Sequence, residues 1–135
     1  MKIGYTSGVF DLFHVGHLAL LEKASRDCDF LIVAVCSDKL AFDLKGRKPI
    51  IPFEDRFRII SSLKCVNRVI CKAVDDEFLM AKSVQANVVF KGDDWKATQK
   101  WLVLEKKFKA EGIKVKFFPY TQKVSSSSIR KELGL

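Results

Sequence analysis

The strongest constraint on this chain is a regular alternation, sustained end to end, of short apolar runs with segments of helical period. "KIGYT" reads as a short buried strand, and "HLALLEKASRD" carries apolar Leu18, Leu20, Leu21 and Ala24, which suits a helix packed on a sheet. "FLIVAVC", Phe30 to Cys36, is apolar throughout, as a parallel strand covered on both faces must be. "FEDRFRIISSL" carries Phe53, Phe57, Ile60 and Leu63 as a helical stripe, and "RVIC" is a short strand. "DDEFLMAKSVQ" is a helix whose Asp75 and Asp76 suit its positive end. "NVVFKG" is a strand closed by glycine, and "TQKWLVLEKKFKAEG" is a helix stopped at Gly112. "KVKFFPY" forms the last strand and "SSSSIRKELGL" a short terminal helix. "SDKLAFDLKGRKPIIP", with Gly46, Pro49 and Pro52, reads as a loop.

Strand and helix in turn argue for a parallel sheet with helices on both faces. The expected fold is therefore α/β: a single Rossmann-like domain over residues 1–135, with a five-stranded parallel sheet. Ligands of such sheets bind beyond the carboxyl ends of the strands, where the strand order reverses. The chemically unusual segments fall at those ends: "SGVFDLFHVGH", "SDK", "KGDDW" and "YTQKVSSSS".

A net charge of +8 suits nucleic acid, anionic lipid or phosphorylated small molecules, and does not choose among them. No apolar run reaches the roughly 18 residues that cross a bilayer, and the N-terminus shows no signal-peptide core. A cytoplasmic address is the expectation. Cys28, Cys36, Cys65 and Cys71 form no C-x-x-C pair, and each lies in or beside an apolar segment. They read as buried or half-buried free thiols rather than metal ligands.

The chain's two histidines, His14 and His17, both sit where the first strand passes into the first helix. About one turn apart, they face one way. Imidazole N–H groups donate to phosphate oxygens, and their charge can rise as negative charge builds. Gly16 between them permits close backbone approach, with the helix N–H groups aimed at an anion. The residues alone leave a plainer use open, a helix cap plus a packed aromatic ring. A zinc pair would need a third ligand, and none is evident nearby.

Two other segments carry chemistry. In "SSSSIRKEL" one serine suffices as a cap, so the run is either a second phosphate cradle or a polar turn, with Arg130 adding charge. In "KGDDW", Gly92 permits a tight turn. Asp93 and Asp94 can hold a hydroxyl, a base amino group or, less directly, magnesium. Trp95 either stacks on a ring or packs the loop. Lys45, Lys48, Arg56 and Arg58 are either phosphate contacts or solvated charge. Helical geometry turns Arg56 away from Phe53, Phe57 and Ile60, toward solvent or the sheet edge. The phosphate loop of the P-loop enzymes, the dinucleotide fingerprint and the G-x-S-x-G elbow are all missing, which disfavours those chemistries.

With those residues placed, the chain resembles the nucleotidyltransferases of the H-x-G-H superfamily, and most of all the glycerol-3-phosphate cytidylyltransferases. The similarity covers nearly the whole chain, through "YTSGVFDLFHVGHLALLEKA", "DFLIVAVCSD", "RFRIISSL", "VVFKGDDW" and "SSSSIRKEL". "FDLFHVGH" and "GDDW" are its most specific parts. The resemblance implies transfer of a nucleotidyl group, commonly CMP from CTP, to a phosphorylated alcohol such as glycerol-3-phosphate. Magnesium accompanies the triphosphate, and pyrophosphate is released. It also implies a homodimer; a basic nucleic-acid binder is a further reading of the charge, but nothing at the strand ends requires it, so no nucleic-acid partner and no membrane span are expected.

Site roles follow from the same resemblance. His14 and His17 match the histidines that hold the triphosphate and stabilise the transition state. Gly8, Val9, Phe10 and Asp11 match the nucleotide loop and motif entry. Lys45 or Lys48 matches a lysine that reaches phosphate, and Arg56 matches an arginine on the following helix. Gly92, Asp93, Asp94 and Trp95 match a segment beside nucleotide and acceptor. Ser125, Ser126 and Ser127 stand where the family has the hydroxyls of I-S-T-T, Ser126 among the catalytic groups. The chain departs from the pattern R-T-E-G-I-S-T-T: Tyr120 precedes Thr121 in place of arginine, with Gln122 and Lys123 for glutamate and glycine. Val9 replaces a common threonine. Since the arginine helps hold the nucleotide, two other readings stand beside the first: an adenylyltransferase using ATP, and a non-catalytic nucleotide-binding module.

Overall fold

A computed structural model describes residues 1–119 and 126–135 of the chain. The strands are β1 (Ile3–Gly8), β2 (Phe30–Cys36), β3 (Arg68–Lys72), β4 (Val88–Gly92) and β5 (Lys114–Phe118). Between and after them lie α1 (Val15–Arg26), α2 (Asp38–Lys45), α3 (Phe53–Ser61), α4 (Glu77–Ser83), α5 (Gln99–Ala110) and α6 (Ser126–Glu132). A 3-10 turn, Asp93–Trp95, follows β4. All pairings are parallel, in the order β3-β2-β1-β4-β5. The expected five-stranded α/β fold is what forms.

The order explains the position of the site. The first half of the chain builds outward from β1 through β2 to β3; the second half returns to pair β4 with β1 and adds β5. The reversal opens a crevice between β1 and β4 at the carboxyl edge. Thr6 of β1 donates its hydroxyl to the Phe90 carbonyl of β4 at 2.9 Å, tying the two strands beneath that crevice.

Two cores sandwich the sheet. On one face Leu21 and Ala24 of α1 and Ile60 of α3 pack on Leu31, Val33, Val35 and Phe90. On the other, Ala81 of α4 with Trp101, Leu104 and Phe108 of α5 cover Tyr5, Ala34 and Val89. β2, central and covered on both faces, is buried from Leu31 to Cys36, as its unbroken apolar run requires. α5 ends as expected: Gly112 takes φ +72° and the Ile113 N–H reaches back to Phe108 at 2.9 Å.

Two expectations need correction. Part of "SDKLAFDLKGRKPIIP" is helix α2, capped by Ser37, whose hydroxyl accepts from the Leu40 N–H. Only Leu40 and Ala41 of this helix are buried, too few to print a periodic stripe. The cysteines are free, but Cys71 is exposed, because it lies on edge strand β3. No helix among the described residues is long and apolar enough to cross a membrane.

Candidate functional site

A cavity of about 290 Å³ opens at the carboxyl edge of β1 and β4. The sequence explains how its walls are held. After β1 the chain turns through Phe10 and Leu12, both left-handed with φ of 55° and 51°. Non-glycine residues keep that strain only where surroundings impose it. Asp11, between them, supplies the restraint. Its carboxylate, 5% exposed, accepts from the amides of Ile50 at 2.9 Å and Ile51 at 3.0 Å, and from Arg130 of α6. Burial alone would raise the Asp11 pKa, but the Ile51 and Ile50 amides and Arg130 outweigh it and hold the carboxyl below its ordinary value. Asp11 therefore clamps the β1–α1 loop, the segment before α3, and α6 together. It lies on a smaller neighbouring pocket rather than on the main cavity, as does Val9.

The two histidines close the start of α1. His14 is its N-cap: Nδ1 of His14 accepts from the Gly16 N–H at 3.0 Å. In return the His14 N–H donates to Nδ1 of His17 at 3.3 Å. The rings stack with centroids 3.8 Å apart, and Phe13 and Phe10 pack on His17 at 5.4 and 5.5 Å. The plain use and the chemical use thus coincide. With Nδ1 accepting, a neutral imidazole carries its proton on Nε2, so each ring keeps one donor to spend. Burial lowers the His14 pKa. Burial first, then His14 and Lys45, pulls His17 down to about 4, against a weaker opposite pull from Asp11. Both rings are neutral donors at neutral pH. Gly16 is the second residue of α1, and its N–H serves the cap rather than a ligand.

The opposite wall comes from β4 and its turn. Gly92, Asp94 and Trp95 line the cavity. A Cβ on Gly92 would meet Asp94 Oδ1 at 2.6 Å, so glycine leaves room for that carboxylate to fold back. Lys91, unremarked in the sequence, also reaches the cavity, its Nζ 5.0 Å from the ring centre of Trp95 and 5.6 Å from that of Trp101. Ser7 lines the floor and gives its hydroxyl to the buried Glu77 carboxylate, which also pairs with buried Lys72.

The structure thus brings Gly8, Phe10, His14, Gly16, His17, Lys45, Gly92, Asp94, Trp95, Ser126 and Ser127 onto one cavity. Ser126 donates its hydroxyl to the Asp11 carbonyl at 2.7 Å, which docks α6 on the β1–α1 loop and commits that proton. Asp93 and exposed Lys48 line neither pocket. Tyr120, Thr121 and Ser125 lie outside the described residues.

Arg56 departs furthest from expectation. It shares the buried face of α3 with Ile60 and is fully buried. Its guanidinium donates to the carbonyls of Val9 at 2.7 Å, Ile51 at 2.8 Å and Cys36 at 2.9 Å, and to Asp38 at 2.6 Å. Every nitrogen is engaged within the protein, so Arg56 ties the loops behind the cavity instead of meeting phosphate.

Comparison with known proteins agrees with this architecture. The family model described as cytidylyltransferase-like matches residues 5–132. The chain is 37% identical over 100 residues to the bifunctional protein HldE of Gluconacetobacter diazotrophicus, covering 73% of this chain and 21% of that protein. It is 32% identical over 129 residues to HldE of Alcanivorax borkumensis, covering 95% of this chain and 27% of the relative. The chain thus spans about a fifth to a quarter of the length of these relatives. Among solved structures, a lipopolysaccharide core biosynthesis protein from Thermoplasma volcanium superposes with a TM-score of 0.76 at 30% identity, covering 90% of this chain and 99% of that one.

Proposed function

The chain belongs to the cytidylyltransferase-like family of nucleotidyltransferases, and on that premise we propose that it joins a nucleotide to a phosphorylated alcohol or sugar. An oxygen of the acceptor phosphate attacks the α-phosphorus of a nucleoside triphosphate in line. The new P–O bond forms as the bond to the β-phosphate oxygen breaks, and pyrophosphate leaves with the electron pair. The attacking phosphate is already an anion, so no general base is needed. What remains for the protein is positioning and charge stabilisation.

The observation that carries this reading is the reciprocal histidine cap. It locks both Nδ1 atoms in place and leaves two Nε2–H donors at the cavity wall, over the crevice where the strand order reverses. Donors that are fixed before the reaction need no reorganisation as charge develops on the α-phosphate, and one such donor is worth about 3 kcal/mol. Lys45, on the same cavity, adds mobile positive charge for the leaving pyrophosphate. Magnesium enters this reading as part of the nucleoside triphosphate substrate. Among the described residues no three His, Cys, Asp or Glu side chains gather to hold a cation, and Asp94 is the one carboxylate on the cavity. That donor set fits an ion delivered by the polyphosphate.

CTP is the donor nucleotide that the motifs favour. ATP is the second reading, because Tyr120 stands where the cytidylyltransferase pattern has its nucleotide-holding arginine and the matched relatives are HldE proteins. Similarity to a lipopolysaccharide core biosynthesis protein favours sugar phosphates beside glycerol-3-phosphate as acceptors. The test is a grid of the four nucleoside triphosphates against glycerol-3-phosphate and sugar phosphates, with magnesium, read by pyrophosphate release. Release that requires both substrates supports the proposal; release without an acceptor, or none anywhere in the grid, defeats it.

A further inference from the structure

Resting on the transfer reading above, we infer that Lys91 forms a second anion subsite, which takes the phosphate monoester of the acceptor rather than the nucleotide's polyphosphate. The register of β4 is the first observation. Phe90 points into the core under α1, so the next residue, Lys91, points to the opposite face, among Trp95 and Trp101. The histidines reach the cavity from the α1 face and Lys91 from the α5 face, over the same sheet edge. In-line displacement needs entering and leaving oxygens on opposite sides of phosphorus. With the leaving group near α1, the incoming phosphate belongs on the Lys91 side.

The second observation is a charge imbalance. Around Ser7, three lysines (Lys72, Lys91 and Lys100) face two carboxylates, Glu77 and Asp75. Glu77 is taken by Lys72 and by the Ser7 hydroxyl; Asp75 is shared by Lys100 and Lys72. The Lys91 side chain makes no hydrogen bond and no ion pair with another described residue, and its ammonium lies over the faces of two indoles. Such contact keeps a lysine extended and pre-organised without neutralising it. Burial pushes its pKa down, Glu77 pulls it up, and Lys72 pushes it down again. A phosphate monoester arriving there supplies the missing negative charge and the missing hydrogen-bond acceptors in one step.

The chain's two tryptophans, Trp95 and Trp101, are the pair flanking Lys91, so tryptophan fluorescence reports on this end of the cavity, and the loss of the phosphate response in Lys91→Met separates the subsite from nucleotide binding. The test titrates wild type, Lys91→Met and Lys91→Arg with glycerol-3-phosphate, inorganic phosphate, CTP and ATP, following fluorescence and then steady-state rates. Thermal melting verifies that each variant folds, and Lys91→Arg serves if Lys91→Met does not. Wild type should answer to glycerol-3-phosphate and to inorganic phosphate; Lys91→Met should lose that response and raise acceptor KM by roughly 10- to 100-fold, the loss expected for a charge-assisted hydrogen bond. Nucleotide KM should stay within about twofold, and Lys91→Arg should recover part of the acceptor binding. Equal weakening of nucleotide and acceptor, or unchanged phosphate binding in Lys91→Met, overturns the inference. A phosphate response that depends on Lys91 in a protein that turns over no substrate pair leaves the subsite standing and removes the transfer reading instead.

Discussion

Replacing Arg56 by methionine separates a structural arginine from a phosphate-binding one. The native guanidinium makes four hydrogen bonds, three to carbonyls of Val9, Ile51 and Cys36 and one to Asp38. Asp38 is 41% exposed and can turn to water when its partner is lost. The carbonyls sit around a side chain with no exposure at all, and each then lacks a partner at a cost of about 1 kcal/mol or more. Methionine fills much of the volume and removes the burial cost of the cation, which offsets part of the loss. Three carbonyls at about 1–3 kcal/mol each, less that offset, leave a net of about 2–5 kcal/mol of stability, a large share of the 5–15 kcal/mol typical of a domain. For a chain of this size that is a fall of roughly 7–18 °C in Tm. Urea denaturation followed by circular dichroism measures it. Arg56→Met within about 1 kcal/mol of wild type, with nucleotide KM raised, would refute the argument and return Arg56 to the phosphate.

Other predictions divide cap from chemistry and fold from pH. His14→Asn keeps a side-chain acceptor for the Gly16 amide and should unfold within about 0.5 kcal/mol of wild type, yet lose roughly 100-fold in turnover; His14→Ala should lose about 1 kcal/mol as well. His17→Ala should fall by roughly 100-fold or more in turnover, with its fold retained by circular dichroism. His17 titrates near 4 when folded and near 6.5 when not, so the unfolded chain binds more protons between those values. Stability is complete above pH 6.5 and should drop by roughly 1–3 kcal/mol as pH falls toward 4; urea midpoints independent of pH across that window would contradict the burial of the ring. Asp11→Ala strands Arg130 and two loop amides and should cost about 3 kcal/mol, read by thermal melting; a cost under 1 kcal/mol would show that the loop holds itself.

The fold was legible because each central strand advertises its surroundings. A run like Phe30–Cys36 can stand only where both faces are covered, and Gly112 marks its helix end by chemistry local to the chain. The histidine site was legible for the same reason, since cap, glycine and rings lie within a few residues. What escaped was set by distant partners. Arg56 follows Phe53 by three residues and precedes Ile60 by four, so the helical period already places it on their face; only its partners, the Val9 and Cys36 carbonyls, come from distant strand ends. Asp11 passes for a ligand residue until Ile50, Ile51 and Arg130 converge on it. Lys91 closes an apolar strand, and nothing near it in sequence announces Trp101 or the Lys72–Glu77 pair. The α2 helix is silent in the sequence because a short helix with two buried residues leaves no periodic trace.

The central claim is that the bond broken lies between the α- and β-phosphates. Incubating the protein with the preferred triphosphate, radiolabelled in turn at the α- and the γ-phosphate, together with an acceptor phosphate, tests it directly. Label from the α position should enter a product containing both nucleotide and acceptor, while γ label should appear only in pyrophosphate. Movement of γ label onto the acceptor, or no acceptor-dependent movement of either label, would contradict the account.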